Sequence, residues 1–365
     1  MNLIDLVFIK IKTFIDSYYA KIILLLFGLF SVSFSSIFIS LSEQDLSSNS
    51  TIFNRFWITS IIYGAWIGSS SINSYHQNNK IESQSYSTAR LTPNLFTQGL
   101  TRDKYVIIML IALGVCFCAN QVIWSWSLER TSIANSTILH NLTPIFTVLG
   151  ARLFLNQPVD QKFILGMLVA IVGSIVIEVE DLSFALDRFQ GDLAALASAI
   201  LYSGYLLLIE NLRDKLDIFS IVFGCCFIGC IIVFPLLIIQ QDSFFPHTLN
   251  AWFSVIALAV VCQVIGQALI AYSLKTISSG VVALLHLLCP CMSAIEAWFI
   301  FAQGLSLENL LGFIVILVGL YVGISSEKLN NDIGDLQILD SLLLGENASP
   351  HCRENLHVGD TSFED

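Results

Sequence analysis

The chain has 365 residues, 55% of them apolar and only 12% charged, with a formal net charge of −11. Soluble globular domains carry about 25% charged residues, so this composition excludes a water-soluble fold for most of the chain. The acidic balance also excludes a nucleic-acid surface, which needs a basic patch or stripe.

Residues 1–20 set Leu3, Ile4, Val7, Phe8, Ile11, Phe14, Ile15 and Tyr18 at helical spacing among Asp5, Lys10, Lys12 and Asp16. That pattern predicts a cytoplasmic amphipathic segment lying on the inner membrane face. Ten apolar stretches follow, at roughly 21–41, 54–71, 106–126, 132–153, 163–179, 192–210, 218–239, 251–272, 279–302 and 308–325. A helix needs about 20 apolar residues to cross a bilayer core. The first stretch is longer than a signal-peptide core and has no A-x-A-like site behind it, so it is expected to stay in the protein.

Between the second and third stretches, 72–103 is rich in Ser, Asn, Gln and Thr without apolar period, which predicts an unfolded cytoplasmic insertion. The connection after the fifth stretch is acidic, with Glu178, Glu180, Asp181, Asp187 and Asp192. The segment 326–365 carries nine acids against Lys328 and Arg353 and is expected to be a disordered cytoplasmic tail. With the N-terminus inside, fourteen of the seventeen Lys and Arg residues fall on the cytoplasmic side and only Arg55, Arg130 and Arg188 outside. That split follows the positive-inside rule and predicts a multi-pass protein of the cell membrane with both termini cytoplasmic.

A repeat runs through the apolar part. Gln121–Gly173 matches Gln267–Gly319 at a constant offset of 146 residues without a gap. His140 pairs with His286, Pro144 with Pro290, Gln157 with Gln303, and Gly166 and Gly173 with Gly312 and Gly319. Equivalent residues lie five spans apart, so the two copies must point opposite ways through the bilayer. The expected fold is an all-α integral membrane protein of ten transmembrane helices, arranged as two inverted five-helix repeats over 21–180 and 190–325. Secondary transporters are commonly built this way.

The prolines mark the candidate site. Each removes the hydrogen bond to the carbonyl four residues back, which belongs to His140 or His286. A carbonyl and an imidazole are thus expected at one level of each helix, where polar groups need protein or a wet cavity. Two stripes extend this, Thr137, His140, Asn141, Pro144 and Thr147 on one span, and Ser279, Ala283, His286, Pro290 and Ser293 on the other. Gln121, Trp124, Gln267 and Tyr272 complete the candidate substrate path. Glu296, the one acid well inside a span, is a candidate for proton coupling. The bland readings are helix-kink locking for the histidines and a snorkelling or hydrogen-bonded acid for Glu296. Asn54-Arg55 reads as an interface marker at the start of the second span. Eight of the nine cysteines lie in spans, where cysteine acts as a small hydrophobe. No HExxH, GxSxG, Walker loop or aspartate-rich motif occurs, so no enzyme, cofactor or metal site is expected.

These residues resemble the EamA-type branch of the drug/metabolite transporter superfamily. The resemblance rests on Ser132 through Pro144 with Phe154-Leu155-Asn156-Gln157-Pro158, and on Ser278 through Pro290 with Phe301-Ala302-Gln303, and covers about 21–325. It implies a permease that exports a small metabolite such as an amino acid, secondary-active or facilitative, without ATP hydrolysis. Gln157 and Gln303 stand where the family commonly has Glu. The implied partners are a small-molecule solute and the lipid bilayer, with a homodimer left open. A membrane-embedded enzyme using an intramembrane His, or a non-transporting sensor, are the alternatives.

Overall fold

The computed structural model describes residues 18–81, 104–178, 189–301 and 306–325. The expectations for residues 1–17, for 82–103, for Gln303 and for the tail from 326 fall outside the described residues. Among the described residues every regular element is helical. In chain order these are α1 (Tyr18–Ser33), α2 (Ser35–Ser42), α3 (Ser48–Ile81), α4 (Lys104–Leu128), α5 (Ile133–His140), α6 (Thr143–Phe154) and α7 (Gln161–Glu178). Then follow α8 (Phe189–Leu212), α9 (Ile218–Gln240), α10 (Leu249–Ser273), α11 (Ser279–His286), α12 (Cys289–Phe301) and α13 (Leu307–Ser325).

Among the described residues, seven helices or helix pairs are long and apolar enough to cross a membrane: Ala20–Ser42, Lys104–Leu128, Phe189–Leu212, Ile218–Gln240, Leu249–Ser273, Ser279–Phe301 and Leu307–Ser325. The other expected spans fall on α3, on the broken pair α5–α6 and on the shorter apolar helix at Gln161–Ile177. α3 continues to Ile81, so the first ten residues of the segment read as an unfolded insertion are helical. Once a long helix is nucleated, each added residue gains a backbone bond at little cost.

Local chemistry sets the starts. The side chains of Ser132, Asp217, Thr248 and Ser278 each accept a hydrogen bond from the backbone N–H three residues on, at 3.1, 3.1, 3.3 and 3.3 Å. Such caps satisfy one of the donors that a helix start leaves open. Ser132 and Ser278 are repeat equivalents, so both copies begin this element with the same device.

Packing then follows lipid rules, in which helices associate through small residues that let backbones approach. α7 crosses α13 where Gly166 meets Gly319 and Gly323, and where Gly173 meets Gly312 and Ile316. Rising numbers on one helix meet falling numbers on the other, so the two run antiparallel. α1 meets α10 through Gly28 and Gly266. At that contact α10 is wound as a π-helix over Leu258–Gln267, a geometry that often marks functional positions. Large apolar side chains stand outward instead of polar ones, for example Leu153, Ile239, Phe299 and Tyr321, each more than 70% exposed. A soluble monomer does not expose so much contiguous apolar surface; a bilayer covers it.

Candidate functional site

The same break interrupts both copies of the repeat. α5 ends at His140 and α6 begins at Thr143; α11 ends at His286 and α12 begins at Cys289. Pro144 and Pro290 are each the second residue of the new helix, where a missing N–H costs nothing. The His140 carbonyl is not left open, because the Thr143 hydroxyl donates to it at 2.6 Å. Freed by a proline, it is taken by a neighbour on the next turn.

A cavity of about 860 Å³ reaches these breaks. Of the sequence candidates, Gln121, Trp124, Thr137, His140, Asn141, Gln267, His286, Pro290 and Ser293 line it. Pro144, Tyr272 and Glu296 lie outside its lining. Pro144 is buried inside α6, and Tyr272 packs on the apolar core. Glu296 is buried behind the wall, where its Oε1 accepts from the Ser33 hydroxyl and its Oε2 has no partner among the described residues. Next to it Ser36 and Ser293 share a hydrogen bond of 2.6 Å. Asn141 spends its amide on Ser174 at 2.7 Å, a contact between α7 and the α5–α6 break.

The two half-buried histidines are joined by a residue the sequence did not announce. Tyr202, buried on α8, lies 5.8 Å from the His140 ring and 5.1 Å from the His286 ring, centroid to centroid. Its hydroxyl is 3.5 Å from His286 Nδ1. On its other side the His140 ring lies 5.8 Å from Trp124. His140 Nδ1 is 2.9 Å from the Ser198 hydroxyl, which itself donates to the Ala195 carbonyl at 2.6 Å. A hydroxyl has one proton, so Ser198 accepts from His140. The His140 proton therefore sits on Nδ1, and Nε2 keeps its lone pair.

Arg55 is the second residue to move. It does not mark an interface: it sits two turns inside α3, only 4% exposed, and lines the cavity wall. Its Nε donates to the Gln263 side chain at 2.8 Å, on the π-helical stretch of α10.

One end of the cavity is lined by exposed Glu43, Gln44 and Glu129. There partial burial pushes the Glu43 carboxyl above its ordinary value, against the Ser48 hydroxyl that donates to it. The nearby Asp45 is held below its ordinary value, first by the backbone N–H of His247 at 2.7 Å. Outside the cavity lining lies a knot around Glu210, only 6% exposed. Its Oε1 accepts from Gln157 Nε2 at 2.8 Å and its Oε2 from the Ser279 backbone N–H at 3.0 Å. Arg213 Nη2 lies 3.9 Å from the same carboxylate while its Nη1 donates to the Leu274 carbonyl. Glu210 thus ties the α6–α7 connection of the first copy to the α10–α11 connection of the second. Among the described residues no group of three His, Cys, Asp or Glu side chains is placed to hold a metal ion.

A multi-pass helical protein whose two related halves wall a cavity with polar side chains in its lining is a membrane transporter in form. The chain belongs to the EamA-like transporter family, which matches residues 19–179 and 189–324. It is 23% identical over 220 residues to a pseudopaline exporter of Pseudomonas aeruginosa, covering 60% of this chain and 76% of that one. It is 24% identical over 282 residues to a WAT1-related protein of Arabidopsis thaliana, covering 68% of this chain and 70% of that one. A crystal structure superposes with a TM-score of 0.65 at 15% identity, over 84% of this chain and 98% of the other, which shows the shared fold.

Proposed function

We propose that the protein exports a small metabolite such as an amino acid across the cell membrane, by alternating access between two inverted five-helix repeats. The observation that carries this reading is the asymmetry of the cavity. Its lining runs from Glu43 and Glu129 to the paired histidines and includes none of Glu210, Gln157, Ser279 or Arg213, as expected of an alternating-access carrier open to one side. The α7–α13 crossing supports inversion. Exchanging the repeats turns the Gly166–Gly319 contact into Gly312–Gly173, which is the other contact of the same crossing. Ten membrane helices and cytoplasmic termini follow from the charge split, which puts the Glu43–Glu129 mouth outside and the Glu210 knot inside. The exporter among the relatives favours the outward direction.

The knot supplies the test. Hydrogen bonds to a charged group contribute about 1.5–3 kcal/mol each, and Glu210→Ala removes those to Gln157 and Ser279. The donors left behind find water only if the inner end opens. A cysteine placed at Thr137, in a variant without reactive native cysteines, should react with an impermeant reagent from the outside in the parent. Addition of Glu210→Ala should raise its reaction from the inside roughly tenfold or more, with counterflow of labelled solutes in proteoliposomes altered in parallel. Unchanged labelling from both sides would remove the alternating-access assignment.

A further inference from the structure

We propose that Arg55 is the anchor for a carboxylate on the transported solute, so that the protein selects organic anions or zwitterions by this group. The proposal rests on the cavity being the transport path. Arg55 is an ionisable residue inside the membrane-embedded part, a place where charge is costly and usually functional. Such a cation is ordinarily paired with an acid. Here no carboxylate of a described residue is paired with it. The ionisable groups around it are the thiols of Cys262 and Cys226 and the phenols of Tyr205 and Tyr202. Its single protein acceptor is Gln263 at Nε, and its Nη groups have none among the described residues. Gln263 is in turn oriented by donating to Cys226 Sγ at 3.5 Å. The guanidinium is therefore held at one edge and open at the other.

A second observation points the same way. Arg55 and Trp124 line one recess off the cavity, and the Trp124 indole N–H is buried without an acceptor among the described residues. Donors gathered without an acceptor fit an oxyanion. Glu43 lines the same recess, yet it accepts from Ser48 at 2.6 Å and is not paired with the arginine. One guanidinium matches one carboxylate in the two-pronged geometry that Arg favours. Glu43 and the cavity-lining Glu129 at the mouth make the path unfavourable for a phosphate dianion.

The test reads binding by the purified full chain in detergent, so it does not depend on transport. The probes are 3-phenylpropionate, its amide and phenylphosphonate, which share an apolar body and differ in head group. Ligand binding raises the unfolding temperature in proportion to occupancy. The carboxylate should stabilise the protein at millimolar concentration and the amide should not. Arg55→Gln should weaken carboxylate binding roughly 10- to 100-fold, and Arg55→Lys should retain part of it. Gln263→Leu leaves the charge and frees its orientation, so it should weaken the carboxylate less than Arg55→Gln does. The proposal is overturned if amide and carboxylate bind alike, if no probe binds, or if phenylphosphonate binds tighter than the carboxylate. It is also overturned if folded Arg55→Gln still prefers the carboxylate, or if all Arg55 and Gln263 variants fail to fold, which makes the arginine structural. Absence of counterflow with intact carboxylate binding would count against the transport reading and leave only carboxylate recognition by Arg55 standing.

Discussion

Gly319→Leu is expected to remove folded protein from the membrane almost completely. A Cβ at Gly319 would lie 2.8 Å from the Ala170 Cα, and one at Gly166 would lie 2.8 Å from the Gly323 Cα. The obstructing atoms are backbone, so no rotamer change relieves the clash. In lipid there is no hydrophobic force to drive the helices back together; the crossing is held by the close approach itself. Overpacking a tight contact costs about 1–3 kcal/mol or more, against a total stability of about 5–15 kcal/mol. A leucine adds three further carbons to a gap that lacks room for one. Gly319→Ala should fall between parent and leucine. Gly68→Leu is the control, because a Cβ at Gly68 meets nothing within 4 Å. Yield and the monodisperse peak in size-exclusion chromatography check this, together with the unfolding temperature. If Gly319→Leu equals Gly68→Leu in all three, the crossing does not hold the halves together.

Much of this was legible in the sequence because the repeat carries local chemistry. Ser132 and Ser278 cap equivalent helices, and the breaks at His140 and His286 fall at the offset that the paired prolines foretold. The repeat paired Gly166 and Gly173 with Gly312 and Gly319, but did not show that these glycines meet each other in one crossing. What stayed hidden is long-range. Tyr202 lies outside the matched stretches Gln121–Gly173 and Gln267–Gly319, so no symmetry signalled it, and only the fold places it between the two histidines. Arg55, near the start of an apolar stretch, looks from composition like a snorkelling residue. The structure starts that helix at Ser48, two turns earlier, and thereby carries the charge inward. Glu210, at the end of the sixth apolar stretch, carries no signal in the sequence, because its partners Gln157 and Ser279 are 53 and 69 residues away. Thr143 reads as one more apolar-helix threonine until the carbonyl it occupies is known.

His140→Ala and His286→Ala are each expected to lower transport by roughly tenfold or more while leaving the amount of folded protein unchanged. In the inverted arrangement the helix carrying His140 runs inward and that carrying His286 runs outward. At about 1.5 Å per residue, His140 lies roughly 12 Å below the outer end of its span and His286 roughly 10 Å above the inner end of its own. Half of the hydrocarbon core is about 15 Å, so the pair is expected to straddle the midplane, where inverted-repeat carriers bind their solutes. Both line the cavity, with Tyr202 between them. Because Ser198 holds the His140 proton on Nδ1, Nε2 is the ring atom able to accept from a solute. Ser198→Ala frees the tautomer without removing the ring, so its effect on transport should be smaller than that of His140→Ala. Tyr202→Phe keeps both ring contacts and loses only the hydroxyl near His286, 3.5 Å away, so its loss should resemble a weakened His286→Ala and leave His140 unaffected. Flux of the identified solute in both directions, measured beside membrane expression, separates these outcomes. If both alanine variants transport as the parent does, the imidazoles only lock the helix breaks, and the solute is bound elsewhere along the cavity.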